Sequence, residues 1–274
     1  MNGSDAATHH VRWSGHSDVG RFRKNNEDAF LGLRFDGQNI NYLGKIGNGS
    51  LDEMDYVFAV SDGMGGKAAG EFASKITIEK TAKLLPHSFR QSALGLVPGF
   101  NDVVIELFHE IHKALTYLGN SYEECAGMGA TLSLAWLTPG RLHFGHVGDS
   151  RIYYFPQLGG MKQLTHDHTR PGWLRRQGQI NEREARNHPA KNALQQSLGS
   201  NCQFLEPQVG SVICEPGDRF LICSDGLVDG LWDHRITDVV RENDDPAIGQ
   251  LIVEEAVQAS GRDNTTAFVI EVSA

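Results

Sequence analysis

Three aspartates sit where the chain turns beside an apolar run: Asp62 in VSDGMGG, Asp225 in CSDGL and Asp263 in GRDN. A carboxylate at the end of a buried strand is held in one place. The glycine after Asp62 and after Asp225 lets the backbone turn sharply and leaves a carbonyl oxygen open, with no Cβ in the way. Hard cations such as Mg²⁺ and Mn²⁺ favour carboxylate, carbonyl and water oxygens over nitrogen or sulfur. Taken singly, Ser-Asp-Gly is also an ordinary turn sequence. Two copies after equivalent apolar runs, and a third Asp just before another run, favour a divalent-metal site if the fold brings the three together.

Such a site needs strands that end side by side. Tyr56 to Val60 (YVFAV) and Phe220 to Cys223 (FLIC) are short, continuous apolar stretches of the kind buried on both faces. Strand patterns also cover 130–137, 142–147, 151–155, 209–214, 219–223 and 265–272. Helical spacing is clearest from Phe100 to Leu118, where Val104, Leu107, Phe108, Ile111, Leu115 and Leu118 share one face. His109 and His112 of that helix read as surface residues rather than ligands. A second helix is expected from about Ala68 to Leu85, stopped by Pro86, with Ala69, Phe72, Ala73 and Ile76 inward. A third fits Pro246 to Ala259 and stops near Gly261. Strands in hairpin-like succession, interrupted by a helical pair, read as α+β, with antiparallel sheets and helices packed outside. Residues 36–55, glycine-rich and without periodicity, read as a hairpin or loose excursion and carry no assigned chemistry.

Composition narrows the function classes. The net charge of −9, from 34 acidic and 25 basic side chains, argues against a nucleic-acid binder. Cys125, Cys202, Cys214 and Cys223 form no CxxC pair and have no His partner at zinc spacing, so they read as reduced core or strand residues of a cytoplasmic protein. No apolar run approaches the roughly 20 residues of a membrane span, which excludes membrane insertion, and the start lacks the layout of a signal peptide. Residues 1–15, with His9 and His10, read as a flexible tail. With no linker, fixed-period repeat or low-complexity tract, residues 1–274 read as one domain, expected to be a monomer.

Taken together, GRFRKNNEDAF (with Arg23, Asn26, Glu27 and Asp28), SDGMGGKAAGEFAS, GATLSLAWL, HVGDSRIYYF, LTHDHT, NALQQSLG, CSDGLVDGL and GRDNTTAFVI occur in the order seen in the metal-dependent serine/threonine protein phosphatases of the 2C type. The chain resembles the compact bacterial branch of that family from about Gly20 to Val272. Each motif is weak alone; all of them in register are specific.

The resemblance implies a β-sandwich of two antiparallel sheets flanked by helices on both sides, in four layers, with two divalent cations, Mn²⁺ or Mg²⁺, at one end. By the same likeness Asp62 bridges both ions and the Gly63 carbonyl binds one. Asp225 and Asp263 complete the other, Glu27 acts through bound water, and Asp28 supports that shell by hydrogen bonding. Arg23 holds the substrate phosphate, for which its planar fork suits better than lysine. Asp149, in GDSR, matches the position that helps bind a third, weaker metal, and equally reads as a turn residue between two strands. The implied reaction is hydrolysis of phosphoserine and phosphothreonine on proteins by a water activated between two metals. Phosphorylated proteins are then the partners, a serine/threonine kinase and its targets among them. Two other readings stay open: a metal-dependent small-molecule phosphohydrolase, and a non-catalytic phosphoprotein-binding regulator of the same fold.

The chain also departs from relatives. Met64 stands where animal members carry a His thought to protonate the leaving alkoxide, so leaving-group protonation has no assigned residue. Lys67 stands where many bacterial members place His or Asn, and reads either as a phosphate contact or as a solvated helix residue. His166 and His168 flank Asp167 in LTHDHT and read as shaping the cleft rim. Residues 169–191, with Arg170, Arg175, Arg176, Arg183 and Arg186, match the family's variable flap. They read either as a basic surface steering acidic substrates or as a solvated helix.

Overall fold

In a computed structural model, the described residues are 9–36, 39–52, 54–65, 69–93, 99–200 and 202–274; Lys67 and residues 1–8 of the expected tail lie outside them. The strands are β1 (His10–Asp18), β2 (Asp28–Phe35), β3 (Ile40–Tyr42), β4 (Ile46–Ser50), β5 (Asp55–Met64), β6 (Gly129–Ala130), β7 (Leu132–Thr138), β8 (Arg141–Val147), β9 (Arg151–Phe155), β10 (Lys162–Gln163), β11 (Leu198–Gly199), β12 (Gln208–Ile213), β13 (Arg219–Cys223) and β14 (Thr265–Ser273). The helices are α1 (Ala69–Ala93), α2 (Phe100–Ser121), α3 (Arg170–Arg176), α4 (Glu182–Arg186), α5 (Asp225–Gly230), α6 (Asp233–Glu242) and α7 (Ile248–Ala259).

The strands form two sheets with antiparallel pairing. One has the order β10-β9-β13-β14-β1-β4; the other runs β11-β6-β5-β7-β8-β12, with β2 paired to β5 and β3 to β2. Both are buried on two faces, which is why their strands read as unbroken apolar runs. Along β5, Tyr56, Phe58 and Val60 point into the space between the sheets, while Val57 and Ala59 point out to α1 and α2. β14 does the same: Phe268, Ile270 and Val272 face the other sheet, and Ala267 and Val269 face α5, α6 and α7. The two-residue period thus feeds three stacked cores, giving helix, sheet, sheet, helix.

Several sequence expectations change. Residues 10–15 are not tail but most of β1, pairing β14 on one side and β4 on the other. Val11 and Trp13 of β1 are buried between the sheets, a place only two partner strands could give them. α1 continues beyond Pro86 to Ala93, since a proline removes one helical hydrogen bond without forbidding continuation. Phe72 faces outward, 46% exposed, because α1 lies on the sheet by the stripe Ala69, Ala73, Thr77 and Thr81, whose threonine hydroxyls donate back to helix carbonyls. The 36–55 stretch contributes β3 and β4 and buries Leu51 in the sandwich. All four cysteines are free; Cys214 and Cys223 are buried, while Cys125 and Cys202 are half-buried outside the strands.

Candidate active site

Strand register gathers the carboxylates at one end of the sandwich. Asp28 opens β2 directly opposite Asp62 near the end of β5. In the second sheet, Cys223 at the end of β13 pairs with Ala267 of β14 and with Arg151 at the start of β9. The end of β13 therefore lies beside the starts of β14 and β9. Asp225 follows the first, Asp263 precedes the second and Asp149 precedes the third.

Arg23, Glu27, Asp62, Gly63, Asp149, Asp225 and Asp263 line one cleft of about 230 Å³, with Met64, Thr131, Asn192 and Leu194 completing its wall. Asp28 lies beneath it, 9% exposed. Arg23 donates to Asp263 Oδ2 at 2.7 Å and lies 3.8 Å from Glu27 Oε2, so it already sits among the anions. Among the described residues, no three His, Cys, Asp or Glu side chains are drawn together closely enough to enclose an ion as they stand.

The acids are electrostatically crowded as they stand. Burial first, then Asp28, Asp225 and Asp149, hold the Asp62 carboxyl well above the ordinary carboxylate range. Asp225 is raised well above that range as well, by burial and then by Asp149 and Asp263. Burial, followed by Asp167, pushes Asp149 up to about 7, and burial pushes Asp28 up to about 6 against the hydrogen bond from Ser224. Glu27 is raised in the same way. These anions repel one another and lack enough solvent to relax. Cations would relieve both costs at once.

The donor set fits hard divalent cations. Asp225 Oδ1 and Asp28 Oδ1 are buried without a hydrogen-bond partner, although such oxygens are normally satisfied. The lining holds no cysteine thiol or imidazole, and its acids offer carboxylate oxygens. Gly63 must be bare: a Cβ there would lie 1.9 Å from the Gly70 carbonyl oxygen.

Neighbouring groups, given no role by sequence reasoning, hold the acids in place. Thr131 Oγ1 accepts from Asp62 N–H at 3.0 Å, and its own N–H donates to the Asp62 carbonyl. Ser224 Oγ donates to Asp28 Oδ2 at 2.7 Å and accepts from Thr266 N–H. Asn264 Oδ1 accepts from Glu27 N–H, while its amide donates to the Val19 and Asn25 carbonyls, locking the Arg23 loop to the start of β14. Their sequence signal is membership of the motifs GATLSLAWL, CSDGL and GRDN, and Ser224 and Asn264 each adjoin a candidate aspartate in the chain. Asn192 and Leu194 lie in NALQQSLG, a motif with no assigned role.

Other candidates lie elsewhere. Asp167 takes a bidentate grip from Arg151, at 2.9 and 2.6 Å, instead of facing a metal. His166 and His168 sit behind the turn that carries Asp149, not on the cleft wall. Cys223 points into the core under the helices, where burial pushes its thiol up to about 12. Much of the positive charge in residues 169–191 is spent locally: Arg175 binds Asp233, Arg186 binds Glu182, and Lys191 binds Asp229. Arg176 and Arg183 remain exposed.

The two-sheet, four-layer fold with acids converging at one end defines a protein with an oxygen-rich cleft fitted to divalent cations. Residues 46–245 match the model of the protein phosphatase 2C family, and the chain belongs to that family. It is 30% identical over 266 residues to the serine/threonine protein phosphatase PstP of Mycobacterium tuberculosis, covering 96% of this chain and 45% of that protein, so it spans about half the length of that relative. It is 28% identical to the serine/threonine phosphatase stp of Listeria innocua, covering 93% of each. The catalytic domain of PstP, solved in complex with two manganese ions, superposes with a TM-score of 0.72 at 29% identity over 97% of this chain and all of that one.

Proposed function

We propose that this protein hydrolyses phosphoserine and phosphothreonine on proteins in a reaction that depends on two divalent cations. The observation that carries the reading is the convergence of Glu27, Asp62, Asp149, Asp225 and Asp263 with Arg23 on a single cleft. Asp62 and the Gly63 carbonyl would hold one cation and share Asp62 with a second, held by Asp225 and Asp263. Asp149 would hold a third, weaker one. Bound there, the cations supply positive charge against phosphoryl oxygens and acidify a water into a nucleophile.

The chain's own residues do the rest. Arg23 offers a planar fork to the phosphate dianion, exchanging Asp263 for substrate oxygens once Asp263 is needed elsewhere. Thr131 and Asn264 fix the backbones of Asp62 and Glu27, so closing the acids on a cation needs side-chain rotation and not movement of those backbones. Ser224 holds one oxygen of Asp28 and leaves the other free to accept from the hydration of the site. Met64 carries no titratable proton, so it cannot protonate the leaving serine or threonine oxygen.

The test compares phosphoserine, phosphothreonine and phosphotyrosine peptides with sugar and nucleotide phosphates, in Mn²⁺ or Mg²⁺ and in chelator. Phosphopeptide hydrolysis that ceases on chelation and in Asp225→Asn supports the reading. Turnover confined to small phosphates favours the small-molecule alternative, and peptide binding without turnover favours a regulator. Full activity in chelator overturns the mechanism.

A further inference from the structure

We propose that Phe22 is a specificity-determining residue, whose ring at the rim of the cleft packs against an apolar side chain next to the phosphorylated serine or threonine of a protein substrate. This rests on the reading of the cleft as a site that hydrolyses phosphopeptides, with Arg23 as its phosphate grip.

The cleft takes little more of a substrate than its phosphorylated side chain. It holds about 230 Å³, below the roughly 300–1,000 Å³ of pockets that enclose a whole small ligand. The residues flanking the phosphorylated one therefore lie on the rim. The rim nearest the phosphate grip is the loop 19–27, which carries Arg23 itself, and Phe22 is one residue away, at the spacing of about 3.8 Å between consecutive Cα atoms.

That loop is fixed along its backbone and bare at its crest. Gly20 N–H donates to Asp18 Oδ1 at 2.7 Å, and Arg21 N–H donates to the Gly261 carbonyl at 2.7 Å. Asn264 holds the carbonyls of Val19 and Asn25, and the Asn26 amide donates to Ser17 Oγ at 2.8 Å. Gly20 has φ +77°, and a Cβ on it would meet the Asp263 carbonyl oxygen at 2.4 Å, so the loop leans on the turn that carries Asp263. Between these anchors the Arg21 side chain turns away to the Gln258 carbonyl, and Arg23 turns to Asp263. Phe22 does neither: it is 72% exposed and belongs to none of the three apolar cores among the described residues.

A single exposed apolar side chain is ordinary on a protein surface. What sets Phe22 apart is that its neighbour in the chain faces the cleft and its own backbone cannot retreat. A ring held out by a braced loop loses little freedom when it is covered, so the apolar area buried against it goes into affinity instead of into ordering the loop. A leucine flank offers that area and a glycine flank offers none. The contact is the same before and during the reaction, so it acts on KM and not on kcat.

The test uses the full chain with Mn²⁺ as wild type, Phe22→Ala and Phe22→Leu. Phe22 is exposed, so its truncation opens no cavity in the core. The substrates are two phosphoserine peptides that differ only in carrying leucine or glycine on both sides of the phosphoserine. Non-hydrolysable phosphonate copies of both, fluorescently labelled, report binding by anisotropy without turnover. The inference expects wild type to favour the leucine-flanked peptide by roughly 10-fold in KM, about the worth of covering much of a Phe side chain, and to bind its phosphonate copy with the same preference. It expects Phe22→Ala to lose the preference through a rise in KM rather than a fall in kcat, and Phe22→Leu to regain most of it. Hydrolysis of both peptides with no preference in wild type, or with the same preference in wild type and Phe22→Ala, overturns the role of Phe22 and leaves the phosphatase reading standing. Phosphonate copies bound with a preference that Phe22→Ala loses, but phosphopeptides left intact, overturn the phosphatase reading and uphold Phe22 as a recognition residue. Peptides neither bound nor hydrolysed overturn both.

Discussion

Replacing Asp28 by asparagine should make the metal-free protein more stable, and by an amount that depends on pH. Asp28 is buried opposite Asp62, one of its oxygens has no partner, and burial raises its carboxyl to about 6. A folded value above the unfolded one means that the native state keeps its proton longer, so stability falls as pH rises from about 4 to about 6 and stays reduced above that. The rise of about 2 units corresponds to about 3 kcal/mol once both states are ionised. At pH 4.5 only about 1 kcal/mol of that loss has developed. Asp28→Asn has nothing to ionise, and its amide oxygen can still accept from Ser224. In chelator it should exceed wild type by about 3 kcal/mol at pH 8, or roughly 5–10 °C in melting temperature. The advantage should shrink to about 1 kcal/mol at pH 4.5. Calorimetric melting at the two pH values measures both quantities. An Asp28→Asn protein no more stable than wild type at pH 8, or an advantage that does not shrink in acid, refutes the argument that the acids are strained by burial.

Three further outcomes follow from named contacts. Arg23→Ala should lower kcat/KM for a phosphopeptide roughly 10- to 100-fold, the worth of charge-assisted hydrogen bonds, while leaving the number of bound Mn²⁺ unchanged; a parallel loss of Mn²⁺ would make Arg23 structural. Gly63→Ala drives a methyl into the Gly70 carbonyl and should cost more than about 3 kcal/mol in urea unfolding, whereas a mild loss would mean that α1 yields easily. Arg151→Met leaves the buried Asp167 carboxylate uncompensated and should cost about 3–5 kcal/mol at neutral pH, with the deficit shrinking as acid protonates Asp167.

The apolar runs 56–60 and 220–223 disclosed strands buried on two faces, because a strand covered on both sides needs no polar alternation. α2 was legible down to its buried stripe because a long amphipathic period is a strong local signal. β1 was not, since HVRWSGHSD mixes polar and apolar residues and becomes a central strand only through β14 and β4. Phe72 was misplaced for a related reason: helical spacing defines a stripe, but the sheet below chooses which stripe it covers.

The site divides along the same line. Local chemistry alone marked Asp62, Asp225 and Asp263, because a carboxylate beside glycine at a strand end is a property of a few consecutive residues. That these acids share one cleft, that Arg23 already rests on Asp263, and that Thr131, Ser224 and Asn264 brace the acids, only the register of antiparallel strands decided. Hydrogen bonds join residues as far as 259 positions apart, as between Arg12 of β1 and Glu271 of β14, and no window along the chain spans that distance.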